Sequence, residues 1–268
     1  MKLSVLMSIY KKENSIYFDK ALKSIWDEQV LKPDEIILVK DGKLTDELEK
    51  IIKKWENKIP NILKVVGYED NRGLGYALNY GLKYCNGEYI ARMDTDDIAL
   101  PQRFKKQIEF LKKNRDIDVV GSYIQIIDEN NNKKEIIKYP LTHKELFKFF
   151  KKRDPLAHPS VMFKKSFFEK VKGYPLERKN QDTLLWAEGF FNGCKFANIN
   201  KVLLLFRQTD ETMNKRGNIK TLIRFLKLRM YVNKKLKYGL DAYIYNFGYF
   251  LLQLMPNSIK NYFYKKLR

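Results

Sequence analysis

The sequence predicts an α/β protein built on a doubly wound, mostly parallel sheet, and three observations support this fold class. Segments of strand and helix character alternate over residues 1–120, as they do in chains of parallel strand–helix–strand units. Hydrophobic residues make up 44% of the 268 residues, which is enough for a large core. Polar and acidic side chains follow several predicted strands, at the sheet edge where such folds bind ligands.

Four apolar runs predict buried strands, and a predicted helix follows each of them. Thr45 is a candidate helix cap with acids in the turn after it, and Pro101 suits the first turn of the last of these helices. The predicted strands are residues 3–9, 35–39, 63–68 and 88–93, and the predicted helices are residues 18–29, 45–58, 75–85 and 101–114.

The second half of the chain has a less regular pattern. Residues 118–140 indicate two strands joined by the polar turn ENNNKK, a helix is expected around residues 180–192, and an apolar run at residues 201–207 indicates a last strand. From about residue 217 the pattern changes to basic amphipathic helix. We therefore expect a main α/β domain at residues 1–210 and a basic helical tail at residues 211–268.

The net charge of +20 is concentrated in this tail. Residues 212–268 contain 13 Lys and Arg residues and a single acid, Asp241. Such a segment suits nucleic acid or acidic lipid, unless its charges are simply solvated. We expect no nucleic-acid partner, because no zinc-finger, helix–turn–helix or RNP signature accompanies the charge.

Cysteine use and apolar runs indicate a cytoplasmic protein that does not cross a membrane. Cys85 and Cys194 lie outside any CxxC pattern, which favours a reduced compartment over a disulfide or zinc site. The N-terminus lacks a signal-peptide pattern, because Lys11 and Lys12 follow its short apolar run at once. No segment approaches the roughly 20 apolar residues that span a bilayer.

Three carboxylates, Asp94, Asp96 and Asp97, directly follow the fourth predicted strand. Asp94 and Asp96 point the same way if the chain is still extended, and Asp97 faces differently as the chain turns. Hard oxygen ligands of this kind suit Mg²⁺ or Mn²⁺, usually shared with substrate phosphates. The alternative is a solvated acidic turn. An EF-hand is excluded, because the stretch lacks the glycine and the final glutamate of that loop.

Two further motifs follow predicted strands. Asp41 in VKDG ends the second strand, and taken alone it indicates an Asp-Gly turn. Gly73 and Gly75 form the start of a GxGxxG pattern, but Leu78 stands at its last position and the motif follows the third strand. A dinucleotide-binding site is therefore excluded here.

Six motifs in a fixed order carry a family resemblance. They are SVLMSIYKKE, VKDG, DNRGLGYALNYGLKYCNGEYIARMDTDD, HPSVMFKK, VKGYP and NQDTLLW. In this order and spacing they resemble the family 2 glycosyltransferases of GT-A fold, a Rossmann-like α/β fold. More narrowly, they are similar to the bacterial enzymes that build O-antigen, capsule and exopolysaccharide repeat units. The resemblance covers about residues 1–210, which would form the catalytic domain.

The resemblance implies an inverting enzyme with a UDP-sugar donor, an Mn²⁺ or Mg²⁺ cofactor and a lipid-linked saccharide acceptor. Another nucleotide-sugar, or a protein or lipid A-core acceptor, is the alternative within the family. Such an acceptor lies at the inner face of the cell membrane, and the basic tail would bind that anionic surface or pack on the catalytic domain. A sugar-phosphate nucleotidyltransferase would need a glycine-rich loop after the first strand, and SIYKKENS contains no glycine.

The resemblance also implies roles for individual residues. Asp182 corresponds to the catalytic base, although alone it could be a helix N-terminal acid favoured by the dipole. The metal ligands would come from Asp94, Asp96 and Asp97. The nucleotide-sugar would be bound by Ser8, Tyr10, Asp41, Arg72, Asp94 and Asp96, with Asp41 at the uracil ring. Weaker candidates for acceptor or phosphate contacts are His158, Gln181, Arg207 and Arg216; His158 could equally be structural and Arg216 solvated.

This sequence departs from the family pattern at three places. Ser8-Ile9-Tyr10 replaces the usual Pro-Thr-Tyr, and Lys40-Asp41 replaces an acid pair. Both departures leave open which nucleobase the enzyme selects. Gln181-Asp182 replaces the Glu-Asp that often carries the base. A single carboxylate therefore remains there, which makes Asp182 the direct choice.

Overall fold

The computed structural model describes residues 2–208 and 219–255, and it confirms the α/β fold class. A nine-stranded sheet has the order β3-β2-β1-β4-β8-β6-β9-β5, and β7 pairs with β6 outside this path. The strands are β1 (Leu3–Ile9), β2 (Glu35–Asp41), β3 (Leu63–Tyr68), β4 (Tyr89–Arg92), β5 (Ile98–Ala99), β6 (Val119–Ile127), β7 (Lys133–Ile137), β8 (Met162–Lys164) and β9 (Phe196–Arg207).

Helices cover both faces of this sheet, as predicted. They are α1 (Ser15–Ile25), α2 (Asp46–Lys58), α3 (Leu74–Leu82), α4 (Arg103–Lys113), α5 (His143–Phe150), α6 (Ser166–Val171), α7 (Gln181–Phe191), α8 (Ile219–Lys235) and α9 (Leu240–Leu254). One core contains Phe18, Trp55 and Phe104, from α1, α2 and α4. The second contains Leu78, Phe150 and Trp186, from α3, α5 and α7.

The prediction of a mostly parallel sheet is confirmed, because β1–β4, β6 and β9 run in one direction. β1 pairs in parallel with β2 and with β4, and β2 pairs in parallel with β3. Further along, β6 pairs in parallel with β9, whereas β8 runs antiparallel to both β4 and β6, and β5 runs antiparallel to β9. The three-residue β8 thus joins β1–β4 to the rest of the sheet, a long-range pairing that local sequence patterns do not specify.

The described part of the predicted tail packs on the α/β domain. The Tyr238 hydroxyl donates a 2.6 Å hydrogen bond to the carbonyl of Phe147, and the Asn246 side chain donates a 3.0 Å hydrogen bond to the carbonyl of Lys151. Among the described helices, none has both the length and the apolar character that crossing a membrane requires. These contacts place α9 and the turn before it against α5.

Candidate active site

A cleft of about 350 Å³ opens at the carboxyl ends of β1, β2 and β4. Parallel pairing brings these three strand ends to one edge of the sheet. Five predicted residues, Ser8, Tyr10, Asp41, Asp94 and Asp96, contribute to its walls. The other lining residues are Glu13, Asn71, Gly73, Leu74 and Thr95.

Asp41 holds the loop that forms one wall of the cleft. Its Oδ1 accepts a 2.9 Å hydrogen bond from the Tyr68 hydroxyl and a 2.8 Å hydrogen bond from the backbone N–H of Arg72. Its Oδ2 accepts 2.8 Å from the Asn71 side chain and 3.0 Å from the backbone N–H of Gly73. Gly73 adopts φ +91°, which favours glycine. The carboxylate therefore fixes residues 71–73 at the start of α3.

Arg72 lies exposed on the outer side of this loop. Its guanidinium stacks on Tyr76 at 4.8 Å from the ring centroid and donates a 2.6 Å hydrogen bond from Nη1 to the Tyr76 hydroxyl. The ring of Tyr68 lies 5.6 Å away. Arg72 is thus held beside the cleft by two aromatic rings, and its charge remains accessible to solvent.

The three aspartates after β4 converge on one point. One carboxylate oxygen from each of Asp94, Asp96 and Asp97 lies within 4.8 Å of the others. Asp97 is 1% exposed, and its Oδ1 accepts a 2.8 Å hydrogen bond from the backbone N–H of Arg207. Its buried Oδ2 has no hydrogen-bond partner within the described part of the chain. This set of oxygens fits Mg²⁺ or Mn²⁺.

Crowding of like charges raises the proton affinity of this aspartate cluster. Burial and the nearby Asp94 raise the pKa of Asp96 to about 6. Burial, with Asp96 and Asp94 close by, raises the pKa of Asp97 well above its ordinary value. A divalent cation would offset this repulsion, so electrostatics and ligand chemistry agree.

Glu13 adds a fourth acid to the cleft. It lies between β1 and α1, and burial beside Asp96 raises its pKa to about 7. Sequence reasoning missed Glu13, although it follows the first strand at the same sheet edge as Asp41 and Asp94. That position was the available signal.

Arg207 braces the aspartate cluster from β9. It is 3% exposed, and its Nε donates 2.9 Å to the carbonyl of Asp96. Its Nη1 donates a 2.8 Å hydrogen bond to the carbonyl of Asp128, and its Nη2 donates a 2.7 Å hydrogen bond to Asn131 Oδ1. The guanidinium is committed to the protein's own loops, which favours bracing over the predicted phosphate contact.

Arg92 is a buried cation that the sequence reasoning missed. It ends β4, is 2% exposed and donates from Nη2 to Asp94 Oδ1. Its Nε and Nη1 have no hydrogen-bond partner among residues 2–208 and 219–255. The same charge favours the ionised form of Asp182. Arg92 therefore connects the aspartate cluster electrostatically to Asp182, and its signal was a charged residue inside an apolar strand.

Asp182 lies half-buried in the first turn of α7. Its Oδ1 accepts 2.8 Å from the backbone N–H of Thr183. Burial and the neighbouring Asp154 raise the pKa of Asp182 to about 6. A carboxyl group with this pKa is ionised at neutral pH and still accepts protons better than an ordinary aspartate, as a general base must.

His158 is buried, 6% exposed, between Tyr174 and Trp186. Its Nε2 lies 3.2 Å from the Tyr174 hydroxyl. Burial and the nearby Arg92 hold the pKa of His158 well below its ordinary value, so the imidazole is neutral. This environment favours the structural alternative for His158 over a contact with phosphate.

The loop of residues 173–175 precedes α7 in the chain and contacts α3. Asn79 and Tyr174 exchange two hydrogen bonds of 2.7 Å between side chain and backbone. A Cβ on Gly75 would lie 2.4 Å from the carbonyl oxygen of Pro175 and 3.7 Å from the Cβ of Gln181. Gly75 thus lets this loop and Gln181 pack on α3. The remaining predicted site residue, Arg216, lies outside the described residues.

The comparisons with known proteins agree with this geometry. The family profile described as "Glycosyl transferase family 2" matches residues 4–172. The chain is 36% identical over 267 residues to a UDP-Gal:alpha-D-GlcNAc-diphosphoundecaprenol beta-1,3-galactosyltransferase of Escherichia coli, covering 99% of this chain and 96% of that protein. It is 32% identical over 272 residues to the amylovoran biosynthesis glycosyltransferase AmsE of Erwinia amylovora, covering 99% and 98%.

A solved structure shows the same fold. The mannosyltransferase PcManGT from Pyrobaculum calidifontis, in complex with GDP-Man and Mn²⁺, matches with a TM-score of 0.62 and 17% identity. The match covers 93% of this chain and 69% of that one. The likeness confirms the predicted GT-A fold. With a family profile over residues 4–172 and a 36% identical relative aligned over 99% of this chain, the chain belongs to glycosyl transferase family 2.

Proposed function

We propose that this glycosyltransferase is metal-dependent and inverting, and that it transfers a hexose or N-acetylhexosamine from a UDP-sugar to a polyprenyl-diphosphate-linked saccharide. The observation that carries the proposal is the pairing of two acidic sites through Arg92: the aspartate cluster on one side and Asp182 on the other. The donor and acceptor classes follow the name of the Escherichia coli relative.

The aspartate cluster serves the leaving group. A divalent cation, Mn²⁺ or Mg²⁺, held by Asp94, Asp96 and Asp97 would supply positive charge where negative charge grows on the departing diphosphate. Arg207 keeps the carbonyl of Asp96 and the carboxylate of Asp97 in place through its hydrogen bonds. The cluster would therefore receive the cation with its oxygens already positioned, which lowers the cost of reorganisation.

Asp182 serves the acceptor. Its carboxylate removes the proton from the attacking hydroxyl, a contribution of roughly 10²–10⁴-fold. Attack from the face opposite the leaving diphosphate inverts the anomeric carbon and passes through an oxocarbenium-like transition state. Arg92 stabilises the ionised form of Asp182 and keeps the base ready at neutral pH.

The nucleotide binds along the cleft wall formed by Ser8, Tyr10 and the loop that Asp41 holds. Tyr10 is 38% exposed and offers a ring to the base. The side chain of Arg72, in this loop, is exposed and supplies positive charge toward the nucleobase or the diphosphate. Asp41 shapes this wall because its carboxylate accepts hydrogen bonds from four donor groups, and the residue lines the same cleft.

The tail helices bind the anionic inner surface of the cell membrane, where a lipid-linked acceptor lies. α9 leaves apolar side chains exposed, and basic side chains of α8 and the turn after it are exposed as well. Such a combination suits a membrane surface. The exposed apolar residues of α9 include Leu240, Ile244, Phe247, Leu251 and Leu254, and the exposed basic residues include Arg224, Lys227, Lys234 and Lys237.

The test is a donor panel scored by release of nucleoside diphosphate. The purified chain is assayed with UDP- and GDP-sugars and a polyprenyl-diphosphate-linked sugar, with EDTA or with Mn²⁺ or Mg²⁺, and the anomeric configuration of the product is read by NMR. We expect metal-dependent turnover of a UDP-sugar with inversion. We also expect loss of activity in Asp182→Asn. Turnover in EDTA, retention of configuration, or full activity of Asp182→Asn would contradict the mechanism.

Membrane binding is tested separately by liposome flotation. We expect the chain to bind vesicles that contain anionic lipid more tightly than neutral vesicles, and Phe247→Asp to weaken this binding. Salt-sensitive binding to DNA without binding to anionic vesicles would show that the tail recognises nucleic acid instead.

A further inference from the structure

A chain of contacts leads from α8 to the acid at the start of α7. Arg229 of α8 is 2% exposed, and its Nη2 lies 2.8 Å from Asp154 Oδ1. The other oxygen of Asp154 accepts 2.8 Å from the Thr183 hydroxyl. The backbone N–H of Thr183 donates 2.8 Å to Asp182 Oδ1. One threonine therefore holds both carboxylates, and Arg229 is the cation paired with one of them.

The burial of Arg229 shows that this contact is built into the fold. Its guanidinium packs between the rings of Phe150 and Phe225, at 5.4 and 5.1 Å from their centroids. Its Nη1 also donates 3.2 Å to the carbonyl of Phe150. A buried arginine needs a partner charge, and Asp154 is the acid that it contacts. Arg229 lies outside residues 4–172, which the family profile matches.

We propose that Arg229 is a positioning residue for the acceptor side of the active site: α8 holds Asp154 through Arg229, and Asp154 with Thr183 sets the place and charge environment of Asp182. The tail thereby takes part in the reaction, whether or not it also binds a membrane. This inference rests on the proposed role of Asp182 as the base.

The charged and titratable groups around Asp182 define the expected sign. Asp154 raises the pKa of Asp182, and Arg92 from β4 lowers it. Tyr174 is close enough to interact electrostatically with Asp182, and its partner His158 is neutral. Within this set Arg229 is the cation that contacts Asp154. Removing Arg229 leaves the negative charge of Asp154 uncompensated, which disfavours ionisation of Asp182.

The test is the pH dependence of kcat for nucleoside diphosphate release by the full chain. We expect Arg229→Gln to move the acidic limb to higher pH by roughly one pH unit, and Asp154→Asn to move it to lower pH. In the double variant the limb should lie below that of the unaltered enzyme, because Arg229 acts only through a charged Asp154. Arg229→Lys, which keeps the charge, should restore most of the original profile.

The matched control is Lys235→Gln. Lys235 also joins α8 to α7, through a 2.7 Å ion pair with Glu188, six residues beyond Asp182. This variant should lower the Tm without moving the acidic limb. If Arg229→Gln behaves in the same way, Arg229 only docks α8 and the proposal is wrong.

The outcomes separate this inference from the proposed function. Full activity of Asp182→Asn would remove Asp182 as the base and so overturn the proposed mechanism itself. Loss of activity in Asp182→Asn, with no movement of the limb in Arg229→Gln, would overturn the positioning role alone. If Arg229→Gln does not fold, Asp154→Asn decides the question, because an unmoved limb in that variant contradicts the coupling.

Discussion

Asp41 and Asp97 follow two strands of one sheet edge, yet their surroundings differ in kind. Asp41 ends β2 and receives hydrogen bonds on both carboxylate oxygens from Tyr68, Asn71, Arg72 and Gly73. Asp97 follows β4 among other acids, and its buried Oδ2 has no donor within the described ranges. The first carboxylate stabilises the protein's own loop, and the second lies among like charges with one oxygen that has no donor in the described ranges.

The donors around a carboxylate distinguish a structural acid from a ligand-binding acid at the same sheet edge. An internal set of donors stabilises the charged form and costs nothing further when a ligand arrives. Crowded carboxylates are destabilising until a cation or a proton offsets them. The two sites should therefore respond to loss of charge with opposite signs.

The largest expected effect is on catalysis in Asp97→Asn. We expect metal-dependent nucleoside diphosphate release to fall about 100-fold or more, because the cluster loses one charged ligand. The Tm in EDTA should stay unchanged or rise, since one charge leaves a crowded cluster. The measurements are kcat at saturating Mn²⁺ and thermal unfolding in EDTA. An unchanged rate with a lowered Tm would place Asp97 in the structural class.

Asp41→Asn should show the opposite pattern. The amide presents two N–H groups to neighbours that are themselves donors, so we expect the free energy of unfolding to fall by about 2–3 kcal/mol. KM for the donor should rise more than kcat falls, because Asn71 and Gly73 line the cleft rather than contact the reacting atoms. Denaturant titration and steady-state kinetics measure these effects. The exposed Asp70→Asn, in the same loop, is the matched control and should change neither quantity.

The pH dependence of stability without metal gives a further test of the aspartate cluster. The folded-state pKa of Asp96 is about 6 against an ordinary 3.8, so the folded state binds protons more tightly than the unfolded chain between about pH 4 and pH 6. Stability should therefore fall as pH rises through this window, by about 2 kcal/mol for Asp96. Glu13, with its pKa raised to about 7, adds a change of the same sign.

Thermal unfolding from pH 4 to pH 8 checks this expectation. Excess Mn²⁺ should remove most of this fall, and Asp96→Asn should flatten the curve in EDTA. A pH dependence that is the same with and without Mn²⁺ would contradict the assignment of the aspartate cluster as the cation site.

The local sequence pattern was enough to predict the first four strands, β1–β4. β1 and β3 have the predicted bounds, because their apolar runs end at polar turns. α1 begins at Ser15 rather than at residue 18, because the Asn14 side chain caps it by accepting from the N–H groups of Ile16 and Tyr17. α5 was missed, although Thr142 and Glu145 form a capping box that the sequence displays.

The candidate site divides in the same way. Residues that directly follow a strand, such as Asp41 and Asp96, could be predicted because strand ends share an edge. Arg92 and Arg229 could not, because their roles depend on burial and on partners far along the chain. Arg207 was predicted to contact phosphate, and its hydrogen bonds to loops more than 70 residues away favour a different role.

The smallest expected effect isolates one donor of Asp41. Tyr68→Phe removes the hydroxyl that donates 2.9 Å to Asp41 Oδ1 and keeps the ring, which packs on Tyr76 and Tyr80 at 5.1 and 5.3 Å between centroids. We expect the free energy of unfolding to fall by about 1 kcal/mol with kcat unchanged, because three donors remain.

Combining Tyr68→Phe with Asp41→Asn turns this small effect into a test of the whole comparison. If Asp41 is structural, the two substitutions share one interaction, and their combined cost in unfolding free energy is smaller than the sum of the separate costs. Strictly additive costs would mean that the hydroxyl and the carboxylate act independently. The distinction between a donor-supplied Asp41 and a cation-dependent Asp97 would then lose its physical basis, because it depends on those internal donors to Asp41.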